Sequence, residues 1–457
     1  MAGEKMQIST FDEDLLGLKD FAERLERFIN VEHCFVSESL VISLNAGFGA
    51  GKSTFFKMWA DSITKNNGPD ESPLVVKVNA WNDDYCGDPF VSLVSALIES
   101  LRDESEDVQS LRDAAKDVGW FLTGLGGQVV NKLTGINVVA AGELTEKKRA
   151  ARGENQEVPK GLFDAFGNKK KALQSLKSSI RALIKGEKPN ILILVDEIDR
   201  CRPDYAISYL ETIKHVFDIH GIVFVLAVDR KQLECSAKAS FGADLDFPEY
   251  YRKFVQREVA LPMPNENSYG TLASRYVEYY LQRENERYCF MPIGRDQVDN
   301  IVHLISFMRM TPRQVQEVFR IMGHVLATDE SKKGKLLWCL GVGTILMSAL
   351  RIGNPKVYGE LGRRELRVKE ASDFFRRLDS THAEWWFTLC FTGGGLNPED
   401  VDKKEVAEIY RDAGFISDGE VSQRVANLGQ WHSGWGHSSV GRFEQIYSKI
   451  EQISSWN

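Results

Sequence analysis

The chain has 457 residues, 43% apolar and 27% charged, enough to bury more than one core, so two or three domains are expected. A net charge of -8 excludes a surface built mainly to coat nucleic acid, leaving only a local basic patch open. The seven cysteines, Cys34, Cys86, Cys201, Cys235, Cys289, Cys339 and Cys390, include no CxxC pair and read as buried thiols in a reducing compartment. The opening "MAGEKMQISTFDEDLLGLKD" carries early acids and no apolar signal core, so a cytoplasmic location is expected.

Residues 1–35 read as an N-terminal helical segment, and a core follows over 36–270. "SLVISLNA", residues 39 to 46, is an apolar run suited to a buried parallel strand. "KSTFFKMWADSI", residues 52 to 63, then sets Phe55, Met58, Trp59 and Ile63 at helical spacing. Between them lie Ala46, Gly47, Phe48, Gly49, Ala50, Gly51, Lys52, Ser53 and Thr54. Small residues at such a turn let backbone N–H groups face phosphate oxygens, and the helix N-terminus adds partial positive charge. Lys52 supplies a full charge, and Ser53 is placed to ligate Mg2+. Ala46 stands where the usual pattern has its first glycine.

"PLVVKVNAW", residues 73 to 81, reads as a second strand, followed by a helix with Phe90, Leu93, Val94, Leu97 and Leu101 on one face. An insertion is expected at about 103–172. Its stretch 117 to 144 is long enough to cross a bilayer, but Gln128, Asn131, Lys132 and Asn137 interrupt it. Spanning is therefore not expected, while membrane association, a partner-binding hairpin or a buried insertion stay open. "TEKKRAARGENQEVPKG" reads as a solvated linker.

"NILILVDEIDRC", residues 190 to 201, runs apolar into acids, as a central strand delivering carboxylates from its C-terminal edge would. Asp196 is expected to hold magnesium, Glu197 to polarise an attacking water, and Asp199 to orient Arg200. A further strand, "GIVFVLAVDRKQL", residues 221 to 233, ends at Asp229, which suits a γ-phosphate sensor and a helix cap equally. Strands alternating with helices imply a doubly wound sheet.

Helical patterns take over after residue 270, giving a helical lid at 271–334 and a C-terminal helical domain at 335–457. "LLWCLGVGTILMSALRI" is too short for a membrane span and reads as a buried helix. "WHSGWGH" lacks a second ligand pair, so no zinc site is assigned to His432 and His437. "GRRELRVKE" and "GNKKKALQSLK" concentrate basic charge and leave nucleic-acid contact open.

Several stretches together resemble the KAP family of P-loop NTPases, which includes a neuronal membrane scaffold and a plasmid-encoded phage-interference protein. They are "DLLGLKDFAERL", the phosphate loop, "VNAW", "VDEIDRCRPDYAISYLETIKHVFDIHGIVFVLAVDR", "YYRKFVQREVALP" and "MTPRQVQEVFR", covering roughly residues 12 to 325. The resemblance implies an α/β fold, a doubly wound parallel sheet of P-loop NTPase type with a helical lid and a C-terminal helical subdomain. It makes Lys52 and Ser53 the loop pair, Asp196 the Walker B acid and Glu197 the catalytic base. Arg313, in "TPRQVQ", matches the start of a lid helix, where an arginine can contact the γ-phosphate. Phe48 stands where many relatives have tryptophan.

The implied activity is ATP hydrolysis with Mg2+, driving or timing a conformational change, in a homo-oligomer or with a co-encoded partner. The family further implies a bacterial or mobile-element antiviral setting. Two other readings stand beside it, a nucleotide-bound switch or scaffold with little turnover and, last, a DNA-associated motor. An arginine finger from a neighbouring subunit would be Arg200, Arg230, Arg252 or Arg257.

Overall fold

Five parallel strands organise the first part of the chain: β1 (Leu40–Asn45), β2 (Leu74–Asn79), β3 (Ile191–Asp196), β4 (Ile222–Val228) and β5 (Arg257–Ala260). The computed structural model describes residues 8–66, 73–101, 106–123, 162–184, 189–281, 289–290, 295–328, 337–416, 428–436 and 441–454. Spatial order across the sheet is β2-β3-β4-β1-β5. β1, β3 and β4 are short apolar runs buried almost throughout, as strands covered on both faces must be, whereas β5, at the sheet edge, is mostly exposed. The connections run through helices, because parallel neighbours need a crossover to return the chain to the same edge.

That register brings the polar ends together. Asn45 of β1 lies opposite Val228 of β4, and Asn79 of β2 opposite Asp196 of β3. The C-terminal ends of β1, β2, β3 and β4 thus open on one edge, where open α/β sheets bind ligands.

The chain divides into two compact units. The first comprises Met1–Asp14, Leu18–Phe48 and Lys52–Pro262; its core joins the sheet to helices Pro89–Ser100, Glu106–Thr123, Leu162–Ala182 and Pro203–Val216. Asp88 caps the first of these by accepting from the Phe90 N–H, and Pro89 fills the opening turn, where no N–H is needed. Helix Lys52–Asn66 buries Phe55, Met58, Trp59 and Ile63, the face that helical spacing implies. Phe55 sits 5.3 Å from Phe21 and 5.5 Å from Trp59, and the Trp59 indole N–H donates to Glu26 at 2.7 Å.

The second unit comprises Leu15–Gly17, Gly49–Gly51 and Met263–Asn457, and its described part is mainly helical. Helix Trp338–Gly353 is buried along most of its length, including Thr344 and Ser348. It packs with helices Pro312–Leu326, Pro355–Gly362 and Arg442–Ser454. Trp435 is fully buried, and its indole N–H donates to Thr392 Oγ1 at 3.2 Å. A Cβ on Gly362 would stand 2.1 Å from Tyr447, so these two helices approach closer than any side chain there allows. The unit also holds a two-residue pairing of β6 (Cys289–Phe290) with β7 (Ala327–Thr328), antiparallel, which hydrophobic periodicity does not foretell.

One expectation is corrected here. Cys34 and Cys235 are exposed thiols, since one ends helix Lys19–His33 and the other sits on the outer side of helix Arg230–Phe241; Cys201, Cys339 and Cys390 are buried as expected. Of the 117 to 144 stretch, only residues up to 123 are described, as the end of helix Glu106–Thr123; the rest and the linker after it lie outside the described residues. Among the described residues no helix is long and apolar enough to cross a membrane.

Candidate functional site: a phosphate loop facing paired acids

β1 ends at Asn45, and the Ala46 N–H still donates to Val228 of β4 at 3.0 Å, holding the start of the loop to the sheet. Gly49 and Gly51 then take φ of +76° and +101°, backbone that L side chains rarely adopt, so the turn needs glycine at both positions. Lys52 opens helix Lys52–Asn66, and its Nζ donates to the Ala46 carbonyl at 2.6 Å. The same Nζ lies 3.6 Å from Asp199 Oδ2. The ammonium thus stands over the loop, next to the first helical turn, where free N–H groups and the helix dipole favour an anion.

β3 supplies the acids. Asp196 ends the strand and accepts the Glu197 N–H at 3.0 Å, and the Ser53 side chain lies beside it. Burial raises the Asp196 carboxyl above its ordinary value; Glu197 and Asp199 push the same way, and the Ser53 hydroxyl and the Glu197 N–H oppose them. A desolvated carboxylate beside a hydroxyl is a donor pair suited to a divalent cation, since oxygen ligands and uncompensated negative charge are what Mg2+ seeks. The residues therefore fit the metal that the fold implies.

Glu197 adopts φ 62°, ψ 24°, left-handed backbone that is rare for a glutamate. The kink turns it out of the strand. Its Oε2 accepts from Asn79 Nδ2 at 3.1 Å, and its Oε1 pairs with Arg200 at 2.7 Å. Asn79 is itself fixed, because its Oδ1 accepts the Asn82 N–H at 3.0 Å and caps helix Ala80–Asp83. Asp199 faces Lys52 and the Asp229 N–H, the latter at 2.7 Å, and Arg200 turns to Glu197; the expected orienting of Arg200 by Asp199 is thus replaced by a Glu197 pair.

Asp229 caps helix Arg230–Phe241, accepting the Lys231 N–H at 3.1 Å. Arg313 is the second residue of helix Pro312–Leu326, and its N–H donates to the Gly49 carbonyl at 3.2 Å, both within the second unit. Ala46, Gly47, Phe48, Ala50 and Thr54 follow the loop and helix as expected. Asn79, Trp81 and Phe48 carry contacts that sequence reasoning did not assign; "VNAW" was visible as a motif without a role.

Each finger candidate has an acidic partner in its own chain: Arg200 with Glu197, Arg230 with Glu258 at 3.5 Å, Arg252 with Glu249 at 3.3 Å and Arg257 with Glu32 at 2.8 Å. In "GRRELRVKE", Arg363 pairs with Glu365 at 3.0 Å, and Arg367 bonds Glu399 at 2.9 Å and Asp400 at 2.8 Å, so much of that basic charge is met locally. Among the described residues no cluster of three or more His, Cys, Asp or Glu is arranged for a metal. His432 lies on helix Leu428–Trp435, and His437 is outside the described residues.

The KAP family P-loop domain matches residues 18–328, more than half of the chain. The chain belongs to the KAP family of P-loop NTPases. No curated protein matches this KAP chain. Among solved structures it is similar to the Aeropyrum pernix ORC2 protein in ADPNP–ADP complexes, at 11% identity and TM-score 0.35, covering 95% of each chain. It is also similar to the Aeropyrum pernix ORC1 protein in complex with DNA, at 12% identity and TM-score 0.33, over 91% of this chain and 84% of that one. A structure described under katanin self-assembly is similar at 10% identity and TM-score 0.30, over 69% and 71%. The KAP fold is the α/β P-loop type, and nucleotide binding is the property that family membership carries.

Proposed function

We propose that this KAP protein binds ATP with Mg2+ and hydrolyses it, using the turnover to drive or time a conformational change. The observation that carries the reading is the meeting of Lys52, Ser53, Asp196 and Glu197 at one sheet edge, with the Ser53 side chain beside Asp196. In this reading the loop backbone and Lys52 hold the β- and γ-phosphates, while Ser53 and Asp196 hold the metal. Bound there, Mg2+ would neutralise phosphate charge. Glu197 accepts a proton from a water as its oxygen bonds to the γ-phosphorus, the bond to the bridging oxygen breaks, and ADP and phosphate result. Asp229 acts by holding Asp199 through its backbone N–H, and a γ-phosphate role for Arg313 rests on the family resemblance.

The second reading, a nucleotide-bound switch or scaffold with little turnover, is favoured by one observation: both oxygens of Glu197 are already held, by Asn79 and Arg200. In this reading 271–334 serves as a lid, and a partner is recruited through the C-terminal helices of 335–457 or the 117 to 144 insertion. A homo-oligomer, a co-encoded partner and an antiviral setting rest on family resemblance alone.

Steady-state ATP hydrolysis by wild type and Glu197→Gln, with binding of nucleotide measured separately, tests the reading. The expected result is equal binding and a fall in turnover of about 10²- to 10⁴-fold, the size of a lost general base. Equal turnover in both proteins removes Glu197 from the chemistry, and binding without turnover in wild type moves the switch reading ahead.

A further inference from the structure

Arg200 sits in a bracket that the proposed chemistry does not require. Its guanidinium lies 4.9 Å from the centroid of the Phe48 ring and 5.6 Å from that of Trp81. The three residues come from three segments: the phosphate loop, the turn after β2 and the turn after β3. Phe48 is 45% and Trp81 50% exposed, so neither ring is part of the core of the first unit. Two large rings held half in solvent gain little from burial; what they gain is a planar cation, the side chain that stacks on aromatic faces best.

The bracket fixes where that cation points, which is at Glu197 Oε1, 2.7 Å away. Asn79 holds the other oxygen. The two turns are tied to each other next to the bracket, because Arg202 donates to Asp84 through its backbone N–H at 3.0 Å and its Nε at 2.9 Å. Of the three bracket residues, Phe48 alone belongs to the phosphate loop, flanked by Gly47 and Gly49. Lys52 Nζ also lies 5.8 Å from the Phe48 ring, so this ring has both Lys52 and Arg200 beside it.

We propose that Arg200 is a positioning residue that restrains Glu197, and that Phe48 transmits occupancy of the phosphate loop to it. When phosphate reorganises the loop, Phe48 shifts and one wall of the bracket is lost; Arg200 loosens its hold on the carboxylate, but Trp81 and the Glu197 pair keep part of the restraint during turnover. Exposed stacking and part-exposed ion pairs are weak enough for bound nucleotide to shift in this way. The inference rests on the hydrolysis reading, and it assigns the basal brake to the chain's own arginine rather than to a missing partner.

The test uses the full chain as wild type, Arg200→Ala, Arg200→Lys, Phe48→Ala and Trp81→Phe. In steady-state ATP hydrolysis, Arg200→Ala should raise kcat about two- to fivefold with KM unchanged, the range that a part-exposed ion pair can withhold. Arg200→Lys, which keeps charge but loses the planar stack, should fall between. Trp81 emission, taken as wild type minus Trp81→Phe, should change on titration with ATPγS and Mg2+, and this change should be lost in Phe48→Ala. A kcat that falls or stays level in Arg200→Ala, or a silent Trp81 signal, overturns the inference. If no variant hydrolyses ATP although nucleotide binds, the hydrolysis reading fails; the Trp81 signal then still decides whether the bracket follows the loop.

Discussion

Lys52→Ala should cost stability before any nucleotide is present, because Lys52 is also the counter-ion of a buried acid. The Asp199 side chain is 3% exposed and that of Lys52 10%, with 3.6 Å between the charged atoms. Removing one member of a buried pair costs about 3–5 kcal/mol where the other is left alone. Asp199 is not left alone, since it keeps the Asp229 N–H at 2.7 Å. The pair is also long, so we expect a loss of about 1–3 kcal/mol. For a unit of this size, ~2 kcal/mol lowers Tm by roughly 4–8 °C. Scanning calorimetry of the nucleotide-free protein measures it, reading the transition of the first unit separately because the chain has two. Adding Asp199→Asn should recover at least half of the loss, since the orphaned charge is then gone. ATP affinity, titrated separately, should fall about 10- to 100-fold in Lys52→Ala whether or not Asp199 is changed. Unchanged melting of Lys52→Ala, or a double variant whose losses simply add, refutes the buried counter-ion.

Asn79→Ala should lower kcat by about 3- to 10-fold and leave nucleotide affinity in place, because the Asn79 amide, itself fixed as a helix cap, orients Glu197 through a hydrogen bond worth roughly 1 kcal/mol, whereas Arg200 only holds it back; a loss confined to KM contradicts this. Asp196→Asn should melt higher than wild type above neutral pH while magnesium-dependent nucleotide binding weakens. Burial raises the folded carboxyl, so its favourable contribution is full below the ordinary carboxylate range and is lost as pH rises through the raised value. The gain should therefore vanish in acid, and a variant melting lower at about pH 8 defeats the account. Gly362→Ala should cost about 1–3 kcal/mol in the second unit, as its Cβ would meet Tyr447, and pairing it with Tyr447→Ala should cost less than the sum. Urea unfolding of the two single variants and the double reads all three.

The sheet and the loop were legible because each rule there is local. β1, β3 and β4 are apolar runs that stop at Asn45, Asp196 and Val228, and the stop marks the edge where chemistry gathers. Gly49 and Gly51 are glycines because the turn needs positive φ, so the letter reports the conformation. What stayed hidden depends on pairs far apart in the chain. Asn79 meets Glu197 and Asp84 meets Arg202 across 118 residues in each case, and nothing in either segment names its partner. The partner of Arg200 was misassigned for a related reason: Asp199 and Glu197 are both near it in sequence, and only the left-handed turn at Glu197 decides between them. β6 and β7 were missed because two residues carry no period.

That turn has a consequence for how the protein can change. Apart from glycines, only Glu197, Arg309 and Arg364 have positive φ among the described residues. A glutamate there costs roughly 1 kcal/mol or more against a glycine, and asparagine tolerates the conformation better. A library selected for heat tolerance alone should therefore collect Gly and Asn at position 197, and a second selection for activity should return Glu. Opposite outcomes of two selections on one codon would mark the place where robustness has been given up for function.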